Sequence, residues 1–135
     1  MIMGTGIDLT EVERIKKALE NTAFAAKVFT IAEQQYCWAQ KAHAAESFAA
    51  RFAAKEALLK AFGTGLRNCR LTEIETLNNV LGKPKICLHG AALAHATAMG
   101  IKKIHLSLSH TQQLAIAQIV LEGSDDESCF CKSDV

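Results

Sequence analysis

No block of lysine or arginine appears anywhere in this chain, and 15 basic against 14 acidic residues leave a net charge of only +1. A dedicated nucleic-acid binder is therefore not expected, and any basic patch must be local. Nor is there a Cys-x-x-Cys pair. Cys37, Cys69, Cys87, Cys129 and Cys131 are odd in number and never at that spacing, which suits reduced thiols better than a disulfide framework or a structural zinc. The residues ahead of Asp8 have neither a basic flank nor an apolar core of signal length, and no apolar run approaches the span of a membrane. No linker, repeat or low-complexity segment divides the first half. These absences leave the expectation of a soluble, cytoplasmic protein with neither membrane nor nucleic acid among its partners. Its 135 residues, half of them apolar, make one domain that can bury a core without staples.

What is present is organised around Glu46 to Gly65. This alanine-rich stretch has high helix propensity as far as Phe62, and Gly63 supplies a left-handed stop. At 3.6 residues per turn Glu56, Lys60 and Gly63 share one stripe, so a carboxylate, an ammonium and the start of a Gly63-Thr64-Gly65 loop point the same way. Such a stripe suits a metal and a phosphate. It is also what an ordinary solvent-exposed (i, i+4) ion pair looks like.

Elsewhere, Ile2 to Ile7 reads as a short buried strand with Asp8 where it leaves the core, either a turn aspartate or a carboxylate held at a rigid strand end. Thr10 and Glu13 form a capping box for a helix to about Leu19, with Val12, Ile15 and Leu19 inward. Arg14, Lys16 and Lys17 make its polar face. Thr30 and Glu33 open another helix through about Trp38. Leu71 to Leu77 reads weakly as a strand, followed by turns at Asn78-Asn79 and Gly82-Lys83-Pro84, a strand over Lys85 to Leu88, and a helix over His89 to Met99 stopped by Gly100. Ile104 to Leu108 and Leu114 to Leu121 should pair as a hairpin across Thr111-Gln112-Gln113. The domain is expected over residues 1–122, with 123–135 a flexible polar, acidic tail. A zinc site drawing on His105, His110, Cys129 and Cys131 lacks the compactness of a finger.

Four separated motifs then carry a resemblance. Gly6-Ile7-Asp8-Leu9 with Glu13-Arg14-Ile15, Phe52-Ala53-Ala54-Lys55-Glu56-Ala57 with Lys60-Ala61 and Gly63-Thr64-Gly65, Gly82-Lys83-Pro84, and His105 to His110 together resemble the holo-acyl-carrier-protein synthases. These are the short, single-domain branch of the 4′-phosphopantetheinyl transferases, and the match runs in order from about residue 4 to residue 121. The resemblance implies an α+β fold, a long central helix packed on a small antiparallel sheet. It implies an enzyme that moves the 4′-phosphopantetheine arm of coenzyme A to a serine of acyl carrier protein, a step serving fatty acid biosynthesis, with adenosine 3′,5′-bisphosphate as the other product. By the same resemblance Asp8 and Glu56 hold Mg2+ and work with Lys60 as the catalytic set. Arg51, Lys60, Gly63, Thr64, Gly65, Pro84, Ser109 and His110 bind coenzyme A, Arg51 at its 3′-phosphate. Arg14 and Lys17 meet the carrier, and three copies assemble as a homotrimer with active sites between subunits. One departure stands out: where relatives often carry further basic residues before Arg51, this chain has Ala44 and Ala45, with only Lys41 and His43 near. Having both carboxylates and Lys60 together favours an enzyme over a non-catalytic coenzyme A-binding module, which would need cationic groups but no metal pair.

Overall fold

The computed structural model describes residues 1–63 and 69–123. Thr64 and Gly65, and the tail from residue 124, therefore lie outside the described residues. In chain order come β1 (Ile2–Glu11), α1 (Val12–Ala18), α2 (Thr22–Val28), α3 (Ile31–Trp38), α4 (Ala44–Phe62), β2 (Ile74–Asn78), β3 (Pro84–Leu88), α5 (Gly90–Met99), β4 (Ile101–His110) and β5 (Leu114–Gly123). Short 3₁₀ turns occupy Lys41–His43 and Leu71–Glu73. Strands β1, β5 and β4 form an antiparallel sheet with β5 in the middle, and β2 and β3 form a separate two-stranded hairpin. The class is α+β, as expected.

The long helix lies on the sheet because small residues let it come close. Ala53, Ala57 and Ala61, spaced four apart on one stripe, are all buried. A Cβ at Gly6 would run into the carbonyl of Ala57, and one at Gly4 into the carbonyl of Ala61. Glycine at these two strand positions is what permits the helix backbone to rest directly on β1. Gly63 ends the helix at φ 79°, and its amide donates to the carbonyls of Leu59 and Lys60 at 3.2 and 3.0 Å, a left-handed cap that a residue with a Cβ would strain.

Strand register then fixes which residues line up. Asp8 sits opposite Ala117, which sits opposite Leu108, and Thr10, Ala115 and His110 form another such row. Side chains two apart share a face. Gly4, Gly6, Asp8 and Thr10 thus look toward α4, while Ile7 and Leu9 look away from it and are 56% and 61% exposed. One apolar cluster joins α4, the sheet, the hairpin and α5 through Leu58, Ile74, Leu88, Ala96 and Ile119. A second, built on Val12, Ile15, Phe29, Cys37 and Phe48, sits under α1 to α3.

Several sequence expectations hold: the helix stopped by Gly63, the Thr30–Glu33 capping box with both reciprocal hydrogen bonds, α5 ended by Gly100, and the β4–β5 hairpin. Four do not. β1 runs on to Glu11, because its pairing with β5 continues to Glu11 opposite Leu114, so Asp8 lies inside the strand and not at its exit. Thr10 consequently caps nothing. The N-cap of α1 is Glu11, without a side-chain cap bond, and the Thr10 hydroxyl donates to Asp8 Oδ2 at 2.7 Å. The first half of the Leu71–Leu77 run is a 3₁₀ turn, with the strand beginning only at Ile74. Finally, α2 had no counterpart in the sequence reading; Asn21 caps it by accepting from the Ala23 amide at 2.9 Å.

Candidate active site

Where β1 crosses the outer half of α4, four charged groups meet. Lys60 Nζ donates to Asp8 Oδ1 at 3.1 Å and to the carbonyl of Ile7 at 3.0 Å. Asp8 is thereby held at both oxygens, by Lys60 on one and by Thr10 on the other. Glu56 is one turn before Lys60, partly buried. Its carboxyl is pushed above the usual range first by burial and then by the negative charge of Asp8, with the charges of Lys60 and Arg14 opposing. Two carboxylates close enough to repel one another, with a lysine and an arginine tempering them, make a place where a cation would be welcome.

The donor set fits magnesium. That ion takes one or two carboxylates and keeps the rest of its shell as water and substrate oxygen. Asp8 and Glu56 are hard oxygen donors of the right number, and Asp8 is pre-oriented by its hydrogen bond from Thr10. Arg14 and Lys17 are exposed on α1, and Arg14 is near enough for its charge to act on Glu56. The chain thus brings Asp8, Glu56, Lys60 and Arg14 together across more than 50 residues of sequence.

The remaining sequence candidates fall elsewhere. His110 faces the opposite half of α4, where its Nδ1 is 3.2 Å from Glu46 Oε2; Glu46 also meets His43 Nδ1 at 3.3 Å. From Glu46 to Lys60 is 14 residues of helix, roughly 21 Å at 1.5 Å per residue. Ser109 alternates to the exposed outer face of the sheet. Pro84 borders a cleft of about 450 Å³ rimmed by Lys83, Lys85 and His105. Arg51 is 4% exposed. Its guanidinium donates to Asn78 Oδ1 at 2.5 Å and lies 4.2 Å from the centre of the Tyr36 ring. Five residues separate it from Glu56, which at 100° per residue puts it roughly 140° around the helix. In the single chain, therefore, Arg51 does not share the pocket of the carboxylates.

Two residues that are not candidates for the site in sequence belong to this description. Thr10, a capping-box residue by sequence, instead orients Asp8. Glu46 holds His110; the His43–Glu46 spacing of three is visible in sequence, but the contact with His110 spans 64 positions and no periodicity reveals it.

Comparison with known proteins adds a chain-long likeness. The model of the ACPS family, the 4′-phosphopantetheinyl transferase superfamily, matches residues 4–119. A holo-[acyl-carrier-protein] synthase of Clostridium tetani is 48% identical over 124 residues, 91% of this chain and 98% of that protein. A holo-(acyl-carrier-protein) synthase from Bacillus anthracis, solved in complex with CoA (3′,5′-ADP), superposes with TM-score 0.77 at 37% identity, covering 92% of this chain and 99% of the other. The acyl carrier protein synthase of Plasmodium yoelii with ADP bound gives TM-score 0.82 at 38% identity over 93% and 98% of the two chains.

Proposed function

This chain belongs to the 4′-phosphopantetheinyl transferase superfamily, among its holo-acyl-carrier-protein synthases, and from that premise we propose how its residues divide the work. The reaction is the transfer of 4′-phosphopantetheine from coenzyme A to a serine of acyl carrier protein, giving the holo carrier and adenosine 3′,5′-bisphosphate. The observation that carries the assignment of the chemistry to particular residues is the convergence of Asp8, Glu56 and Lys60 at the β1–α4 crossing.

Asp8 and Glu56 are the pair that would hold Mg2+. Bound there, the ion would neutralise charge on the pyrophosphate and favour displacement at phosphorus. The rest of the work falls to side chains. Lys60 is 56% exposed at its side chain and has two of its three donors on Asp8 and Ile7, which leaves the third available to a phosphoryl oxygen. Thr10 keeps the Asp8 carboxylate from rotating away. Gly63, Thr64 and Gly65 are assigned to coenzyme A, since glycine's lack of a Cβ allows a backbone to approach a ligand closely. Pro84, Ser109, His110 and Arg51 are assigned to coenzyme A, Arg51 at the 3′-phosphate, and Lys83 and Lys85 beside Pro84 add positive charge suited to phosphates.

These coenzyme A groups do not gather around the carboxylates in one chain, and that supports a homotrimer whose active sites lie between subunits. So does the outer face of the sheet, where Ile7, Leu9 and Ile116 are exposed together; a neighbouring subunit would cover them. Arg14 and Lys17 are the proposed docking face for the acidic carrier. Among the described residues no helix is long and apolar enough to cross a membrane, and a cytoplasmic site of action is the accompanying proposal.

The direct test is mass spectrometry of an apo acyl carrier protein incubated with this protein, coenzyme A and Mg2+. The carrier should gain one phosphopantetheinyl group on its serine, and chelation of the metal should stop the gain. A carrier of unchanged mass with metal and coenzyme A present would reject the assignment, and undiminished transfer under chelation would reject the metal.

A further inference from the structure

Among the described residues, one group of histidine, cysteine and carboxylate side chains closes up enough to grip a metal ion, and it lies outside the transfer site. Glu75, Cys87 and His89 each offer a ligand atom, and the three atoms lie within 4.8 Å of one another. Glu75 on β2 is directly opposite Cys87 on β3 in the ladder, so both project from the same face of the hairpin. His89, two residues after Cys87, continues that face as the N-cap residue of α5, and its backbone is pinned by its amide donating to the Glu73 carbonyl at 2.9 Å.

We propose that Glu75, Cys87 and His89 form a binding site for a thiophilic divalent cation, zinc by the chemistry of its donors. A thiolate, an imidazole and a carboxylate are the borderline-soft mixture that zinc accepts, and three protein ligands leave one position for water. His89 Nε2 and Glu75 Oε1 are now 2.9 Å apart; around a tetrahedral ion they would stand roughly 3.3 Å apart, so the site needs to open only slightly. The second oxygen of Glu75 already accepts from the Thr30 hydroxyl at 2.5 Å, the outer support that orients a metal-binding carboxylate. Glu75 is 9% exposed, and Lys55, whose ammonium also senses it, is matched by Glu33. Glu75 is thus not required to balance that charge. The ion would tie β2, β3 and the start of α5 together. A two-stranded hairpin that among the described residues pairs with no third strand is marginal alone, and binding to the folded state alone raises its stability by mass action.

The test uses the metal alone. Full-length protein carrying Cys129→Ser and Cys131→Ser, which removes the tail thiols as competing ligands, is stripped with chelator and titrated with Co2+ in excess Mg2+, which occupies the Asp8–Glu56 pair. One equivalent should bind with a near-ultraviolet thiolate-to-cobalt charge-transfer band. Cys87→Ser should abolish that band and Cys69→Ser should not. His89→Ala and Glu75→Gln should each weaken binding at least tenfold, and Zn2+ should displace the cobalt and raise the thermal midpoint of the parent but not of Cys87→Ser. The absence of a band, its survival in Cys87→Ser, or affinities unchanged in both His89→Ala and Glu75→Gln would each overturn the site, the last by showing an isolated thiol at work.

Discussion

Helix α4 carries two lysine–carboxylate pairs, five residues apart on the lysine side, and they have opposite characters. Lys55 Nζ meets Glu33 Oε1 at 2.7 Å with both side chains fully buried, whereas Lys60 Nζ meets Asp8 Oδ1 at 3.1 Å with the lysine side chain 56% exposed. The buried pair is saturated. Lys55 also donates to the carbonyls of Leu71 and Ile74, and Glu33 accepts from the amides of Thr30 and Thr76 at 3.0 and 2.9 Å. Burial pulls the Lys55 ammonium below its ordinary pKa, and Glu33 opposes that pull. Every bond is spent inside the chain, joining α3, α4 and the hairpin. The outer pair keeps donors and acceptors in reserve, and a charge in reserve is what a substrate can use. Position on the helix thus separates a pair sealed inside the fold from one open to solvent, the one proposed to serve chemistry.

The sharpest way to break this comparison is to remove one partner from each pair. Glu33→Ala strands a buried ammonium, so unfolding free energy should fall by about 3–5 kcal/mol, read by urea denaturation. Asp8→Ala should cost at most about 1 kcal/mol by the same measurement. Similar losses from both variants would erase the distinction drawn between the pairs.

Activity should show the reverse order among correctly folded variants. Asp8→Ala and Glu56→Ala each remove a proposed magnesium ligand, and transfer should drop by several kcal/mol of transition-state stabilisation, about a thousandfold or more, with native circular dichroism. Near-normal turnover of either variant at low magnesium would take that carboxylate out of the metal site.

How much of this could be read beforehand follows from range. The capping boxes, the Gly63 and Gly100 stops and the β4–β5 hairpin depend on neighbours a few residues apart, and all but the Thr10–Glu13 box were legible. That box failed because β5 competes for the same backbone: pairing through Glu11 keeps Thr10 in the strand, and its hydroxyl turns to Asp8 instead. The Glu56–Lys60 stripe was visible as helix geometry. Its meeting with Asp8 was supplied by resemblance, since the contact spans 52 positions. Glu33 is legible in sequence as half of a capping box and Lys55 as part of the central helix; that they meet as a buried pair comes from packing.

Arg51 tests whether the comparison extends to a third cation. In the chain it resembles Lys55, buried and engaged with Asn78 and Tyr36, yet it is assigned to the 3′-phosphate of coenzyme A. Arg51→Ala should therefore raise KM for coenzyme A at least about tenfold more than for 3′-dephospho-coenzyme A, because only the former carries the group that a guanidinium grips. Equal losses on the two substrates would place Arg51 with the structural pair.

The smallest effect is expected at the carrier surface, where all the charges are exposed. Arg14, Lys16 and Lys17 on α1 face solvent, and Arg14 is close enough to the proposed catalytic cluster for its charge to act on Glu56. A carrier docked there would present its serine beside the carboxylates. Exposed charges of this kind speed encounter and add contacts that salt screens over roughly 8–10 Å. Arg14→Glu should thus raise KM for the carrier about tenfold at low salt, roughly 1.4 kcal/mol, while KM for coenzyme A changes little. Because Arg14 also tempers Glu56, kcat needs to be followed separately: a fall in kcat with the carrier KM unmoved would assign Arg14 to the cluster and not to docking. Raising ionic strength should increase the wild-type carrier KM and leave the variant less affected. If Arg14→Glu and wild type are indistinguishable toward the carrier at low salt, the docking face lies elsewhere, and Arg14 with Lys17 is simply the solvated side of a short helix.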